Sequence, residues 1–167
     1  MAIQGGTESV RQRAGVVVGG RAIFTNDGEL CSGAVSQTGV AAPTGITATS
    51  PAVMLGLAGS ITPNAGGNVM ITISGNVNSS VIADGASLQV SYGTGAAPAN
   101  AGALAGTQVG QVVKYVASTV LGQSPFSITV YVAGLVAGTA YWIDLAVAAL
   151  TGGTATFADV NIVAIEL

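Results

Sequence analysis

The sequence predicts an all-β protein: an antiparallel jelly-roll or β-sandwich of about eight strands, preceded by an extended N-terminal arm. Three observations lead there. From residue 51 onward, apolar residues alternate with small polar ones in short runs, and a period of two lines one face of a strand. Clusters of Gly, Pro, Asn and Asp separate the runs, as turns require. Helical periodicity is nearly absent, and Gly, at 25 of 167 residues, is about twice its usual share.

Residues 1–50 differ from the rest. They hold Arg11, Arg13 and Arg21, a TNDGEL stretch and a linker-like SGAVSQTGVAAPTGITATSP. Glycines break every long periodic element here. AGVVVGGRAIF (14–24) has the β-branched residues of one or two short strands. These residues are expected to form an arm and linker for attachment, with Arg11, Arg13 and Arg21 as its attachment residues, or else a flexible tail. Residues 51–167 are expected to form the head.

Within the head, the first strand is expected at 52–59. NVMITISGNV (68–77) sets Val69, Ile71 and Ile73 against Met70, Thr72 and Ser74. SLQVSY (87–92) sets Leu88, Val90 and Tyr92 against Ser87, Gln89 and Ser91. QVGQVVKYVAST (108–119) reads as one strand or two, because Val109, Val112, Val113 and Val116 are stiff at χ1. FSITVYV (126–132) aligns Phe126, Ile128, Val130 and Val132 on one face, with Tyr131 opposite. YWIDLAVAAL (141–150) aligns Tyr141, Ile143, Leu145 and Val147, which sends Trp142 and Asp144 to the other face. Tyr131 and Trp142, on the faces opposite the expected core, are candidates for an interface or ligand contact, or else pack between the sheets if the faces are reversed. The turns between these strands contain Asp84-Gly85, GTGAAPANAG, AGLVAG and LTGG.

The last run, FADVNIVAIEL (157–167), has two apolar faces. Val160, Ile162 and Ala164 point one way, Val163, Ile165 and Leu167 the other. Both faces are expected to be covered, one by the sandwich core. The other is covered by a subunit interface or by a long loop over a central strand. Val160, Ile162, Val163, Ile165 and Leu167 are therefore interface candidates.

Composition narrows the function. The chain is 50% apolar and 7% charged, with net charge −3 and no His. Polar residues interrupt every apolar run before the roughly 20 residues a membrane helix needs, and the N-terminus lacks the pattern of a secretory signal. No membrane partner is expected. Beyond Leu30 the only base is Lys114, which argues against a nucleic-acid partner, whose phosphates need many cations. The lone Cys31 allows no internal disulfide; it is either a buried free thiol or a link between subunits. Few surface charges suit a chain whose surface is covered by other subunits.

The search for chemistry finds no convincing set. General bases are commonly His, and there is none. Lys114 and Ser118 would lie roughly 13 Å apart on one strand. Asp84 and Asp144 are the only carboxylates that suggest an acid–base pair for sugar cleavage, and Asp84-Gly85 reads better as a turn. NDGE (26–29) is the only calcium-like cluster, and a turn explains it as well. GTGAAP (93–98) lacks the ending of a phosphate loop. No enzyme, no cofactor and no metal are expected.

The strand order, the FSITVYVAGLVAGTAYWIDLAVAAL hairpin and the closing NIVAIEL resemble small trimeric jelly rolls. The tumour necrosis factor family and complement-type globular heads are animal examples. The chain is more similar to the Gly/Ala/Thr-rich head domains of tailed-bacteriophage virions: capsid decoration proteins, head fibres and tail-fibre tips. The resemblance covers residues 51–167 and carries over no functional residue. It implies a homotrimer on the virion surface, with the C-terminal strand near the threefold axis. It also implies an N-terminal arm that holds the major capsid protein or another virion protein. The alternative it leaves open is a tail-fibre tip that binds a receptor or host surface glycan through loops 78–86 and 93–107.

Overall fold

The structure, a computed structural model, describes residues 17–18, 21–22, 36–37, 43, 45–50, 52–64 and 66–167. Short pairings come first: β1 (Val17–Val18) with β2 (Arg21–Ala22), and β3 (Ser36–Gln37) with β5 (Gly59–Ile61). From Val53 onward the chain forms eight strands: β4 (Val53–Met54), β5, β6 (Val69–Ser79), β7 (Gly85–Thr94), β8 (Thr107–Val116), β9 (Ser124–Val132), β10 (Tyr141–Ala149) and β11 (Ala155–Glu166). All pairings are antiparallel. The expected class, an antiparallel sandwich of about eight strands, is the architecture of the protein. No helix among the described residues is long and apolar enough to cross a membrane.

The strands form two sheets. The larger runs β3-β5-β10-β7-β8, with β4 also on β10; the smaller runs β11-β6-β9. The chain crosses between sheets from β5 to β6, from β6 to β7, from β8 to β9, from β9 to β10 and from β10 to β11. Facing side chains from both sheets fill the core. Leu88, Val90, Ile143, Leu145 and Val147 come from the larger sheet, and Ile71, Ile73, Ile128, Phe157 and Ile162 from the smaller. These are the alternate positions that the period of two selects. Phe126 joins Tyr115 and Phe157 at one end through tilted and edge-on ring contacts of 5.7 and 6.2 Å, a favoured geometry for aromatic pairs.

The core begins before residue 51. Pro43 and Ile46 are buried. Ile46 exchanges both backbone hydrogen bonds with Ala155, and the Ala149 N–H donates to the Ala48 carbonyl. The head therefore takes in residues assigned above to the linker.

Two strands reverse the expected pattern of cover. β10 is buried on both faces. Its outer side chains Trp142 and Ala146 pack with Met54, and Ala52 and Ala105 close the cluster. The lid is the long β7–β8 connection, tied down where the Met54 N–H donates to Gly102 O and the Ala101 N–H to Met54 O. Gly106, at φ +74°, passes so close to Trp142 that a Cβ would lie 2.3 Å from the indole; only glycine fits there.

β11, expected to be covered on both sides, is covered on one. An irregularity between Ala158 and Asn161 shifts its register on β6, with Asp159 at φ 53°. This bulge changes the parity of the strand. Phe157 points inward before it, and Val160, Ile162, Ala164 and Glu166 point inward after it.

Leu145 sits fully buried at the centre of β10, facing the smaller sheet. Leu145→Ala is expected to destabilise the fold by about 2–5 kcal/mol, measured as a lower midpoint in urea at unchanged slope.

Candidate interaction surfaces

The described residues hold three buried carboxylates, Asp84, Asp144 and Glu166. A buried carboxylate needs donors. Here the donors are backbone N–H groups of loops that have left a sheet, so each acid closes a loop.

Asp144 lies between the stretches of β10 that pair with β5 and with β4. β5 pairs at Tyr141–Ile143 and β4 at Ala146–Val147. Between β4 and β5 the chain bends away through Leu55, Gly56, Leu57 and Ala58, with Gly56 and Ala58 at positive φ. Asp144 Oδ2 accepts the Gly56 N–H at 2.9 Å, and Oδ1 accepts Leu57 at 3.0 Å and Leu145 at 2.7 Å. The side chain replaces the missing ladder bonds. Burial is the largest influence on it and pushes the carboxyl up to about 6, against the pull of these three N–H groups.

Asp84 ties together one end of the sandwich. Its Oδ1 accepts the Thr151 N–H at 2.8 Å and its Oδ2 the Gly153 N–H at 2.7 Å. Burial works to raise this carboxyl, but bonds from Gly85, Gly153 and Thr151 together outweigh it and hold it below its ordinary value. Glu166 closes the other end of the sandwich by accepting N–H bonds from Asn64 at 2.8 Å and Gly66 at 2.7 Å.

Asp84 and Asp144 do not form an acid–base pair. Asp84 reaches the turn after Leu150, some six residues along β10 from Asp144, or roughly 20 Å by strand rise. Paired glycosidase carboxylates lie about 5–9.5 Å apart. Lys114 lies on β8 and Ser118 in the loop beyond its end, so the two do not share a strand.

The interface candidates divide. Val160 and Ile162 are in the core, and Trp142 lies in the outer cluster with its indole N–H donating to Thr94 O at 3.2 Å. In a single chain none of these three is available to a partner. Tyr131, Val163 and Leu167 are exposed by 56%, 45% and 56%, and Ile165 is half-buried. These four lie on the outer face of the smaller sheet. Pairing builds that face in rows: Ile165–Met70–Tyr131, then Val163–Thr72–Thr129, then Asn161–Ser74–Ser127. Thr72 and Thr129 join their hydroxyls at 3.0 Å. None of these rows contains a charge, and the apolar side chains gather at the Ile165 end. Alternation alone pointed to Tyr131, Val163, Ile165 and Leu167. The grouping with Met70 needed the register, which no sequence spacing gives.

Arg21 lies in β2, paired with Val18. Arg11, Arg13, Cys31 and the NDGE stretch lie outside the described residues. Among the described residues no group of three His, Cys, Asp or Glu side chains comes together to hold a metal. No protein-family model matches the chain, and no curated protein matches it.

Asp144 gives a signed pH dependence. Between its ordinary value of 3.8 and its folded value of about 6, the folded chain holds a proton that the unfolded chain releases. Its contribution to stability therefore rises as pH falls from 7 to 4, by on the order of 2–3 kcal/mol. Asp84, shifted the other way, contributes stability that is lost only as pH falls below 3.8. Urea titrations at pH 7, 5.5 and 4 are expected to show the gain, and Asp144→Asn is expected to flatten it.

Proposed function

We propose that this chain is a structural virion protein: a homotrimeric sandwich on the outside of a phage capsid, as decoration or head-fibre protein. Its N-terminal residues attach it to the major capsid protein or another virion protein. The observation that carries this reading is the set of uncharged rows on the outer face of the smaller sheet, from Ile165–Met70–Tyr131 to Asn161–Ser74–Ser127, with Asp159 bonded to Asn76 beyond them. Exposed apolar side chains grouped on neutral rows favour cover by another protein surface. With only 7% charged residues over the whole chain, little of the surface is built to keep copies apart. The buried carboxylates support the same reading, because each is engaged in closing a loop of the fold.

The tail-fibre alternative has less support. It relies on loops 78–86 and 93–107 to bind a glycan. In loop 93–107, the Asn100 side chain donates to Leu55 O at 2.9 Å and Gln108 beside it donates to Ala105 O at 3.2 Å. In loop 78–86, Asp84 holds the turn at Thr151 and Gly153, and Val81 and Ile82 are exposed. Sugar recognition usually recruits aromatic side chains, and neither loop has one at its surface.

The test is native mass in solution for three proteins: the full chain, Val163→Ser/Ile165→Ser, and a chain lacking residues 1–35. A trimer for the full chain and a monomer for the double variant, which still unfolds in one cooperative thermal transition, is the expected result. The shortened chain is expected to remain a folded trimer but no longer to sediment with capsids. Full capsid binding by the shortened chain would remove the attachment role, and a trimeric double variant would remove the role of the sheet face.

A further inference from the structure

At the end of the sandwich that Asp84 ties together, five large aliphatic side chains are turned to solvent. Val81 and Ile82 come from the β6–β7 loop, Val116 from the end of β8, and Val120 and Leu121 from the β8–β9 loop, at 44%, 60%, 54%, 56% and 62% exposure. The loops are fastened to one another. The Ala83 N–H donates to Ala117 O, the Ala117 N–H to Asp84 O and the Leu121 N–H to Ser79 O. Asp84 and Ser80 then bind the β6–β7 loop to the β10–β11 turn. Ala83 and Leu121 are held at φ 59° and 57°, where a residue other than glycine is strained. The fold thus maintains an aliphatic tip at a backbone cost and fixes its shape in advance, which lowers the cost of ordering it on binding.

The same chain carries a counterpart on the outer face of the larger sheet. An open hollow of ≈ 120 Å³ has Ala52, Leu88, Leu104, Val112 and Ala146 in its wall. One water needs only ~10–15 Å³, so a branched aliphatic side chain fits. The polar groups in the lining already have partners. Ser87 donates to Ala148 O, Gln89 to Gly110 O, and Gln108 to Ser91 Oγ and Ala105 O. A hollow whose polar groups are satisfied from within suits an apolar plug better than a sugar or a polar metabolite. The tip, with neither an aromatic nor a basic residue among its five side chains, lacks the anchors that place a protein at a lipid interface.

We infer that the Ile82–Leu121 tip of one copy seats in the Val112–Leu104 hollow of a second copy. The two surfaces differ, so the contact is heterologous and propagates from one copy to the next unless symmetry closes it. It uses neither Val163 nor Ile165. Within the virion reading, on which this inference rests, it joins one trimer to the next.

Sedimentation of the full chain at rising concentration tests it, with three variants. Ile82→Ser/Leu121→Gly takes away the two most exposed side chains of the tip, and glycine at 121 also relieves the left-handed backbone, so the variant keeps its thermal midpoint. Val112→Trp fills the hollow. Each is expected to retain the trimer and to weaken growth beyond it at least tenfold. Mixing the two is expected to restore growth, since one supplies intact hollows and the other intact tips. A full chain that never grows beyond its smallest species overturns the inference, as does growth that neither variant weakens. Binding of phosphatidylcholine vesicles by the full chain, lost in the tip variant while growth persists, assigns the tip to lipid and also overturns it. Failure of the sheet-face reading is separate: Val163→Ser/Ile165→Ser then keeps the trimer while the tip variant still stops growth.

Discussion

The sandwich depends on one substitution of side chain for backbone, the Asp144 carboxylate standing in for strand pairing. The edge of β10 is shared by two short strands that do not join smoothly. Where the chain bends away between them, the N–H groups of Gly56 and Leu57 would be left without acceptors inside the protein. Orphaned buried donors cost about 1–3 kcal/mol each. Asp144 accepts both and its own neighbour's. A break in an edge becomes a tolerable feature, and Met54 is brought over Trp142 to seal the outside of the sheet. Asp84 and Glu166 apply the same chemistry at the two ends. With few charged residues available, the fold uses Asp84, Asp144 and Glu166 as acceptors for the backbone, and no base is buried with them among the described residues.

Most of the strands were legible in the sequence because the period of two is a direct geometric consequence of pleating. The inward sets Val69/Ile71/Ile73, Leu88/Val90 and Phe126/Ile128/Val130/Val132 all face the core. The run at 108–119 is a single strand ending at Val116, and the first expected strand, 52–59, divides into β4 and β5 around Leu55–Ala58. A split of that kind is set by the acid on a strand nearly ninety residues away, which no local pattern reveals.

The larger misreading concerned which strand is covered twice. Alternation shows that two faces differ; it does not show what lies over either. β11 looked doubly buried because Val163, Ile165 and Leu167 are large. β10 is the strand that is buried on both sides, under residues 52–57 and the β7–β8 connection. A signal was present in hindsight: opposite Ile143, Leu145 and Val147 stand Trp142, Asp144, Ala146 and Ala148, and the two alanines are small enough to let a second layer approach. The aliphatic tip was also missed, since Val81, Ile82, Val120 and Leu121 belong to two loops that only the fold brings together.

The bulge at Asp159 makes β11 a strand read in two frames. Upstream of it the odd positions face the core; downstream the even ones do. Two residues, Asp159 and Val160, stand there opposite the single Gly75 of β6, so one extra residue makes the change of frame. A strand that kept all its residues but straightened the bulge would turn Ile162 and Ala164 toward solvent and Val163 and Ile165 toward the core. The clamp at Glu166 would swing away from Asn64 and Gly66. Loss of Asp159, by contrast, would leave a regular alternation with Phe157, Val160 and Ile162 still inward. Homologous chains would therefore be expected to carry either five or four steps from Phe157 to Ile162, and to keep an apolar residue at Val160.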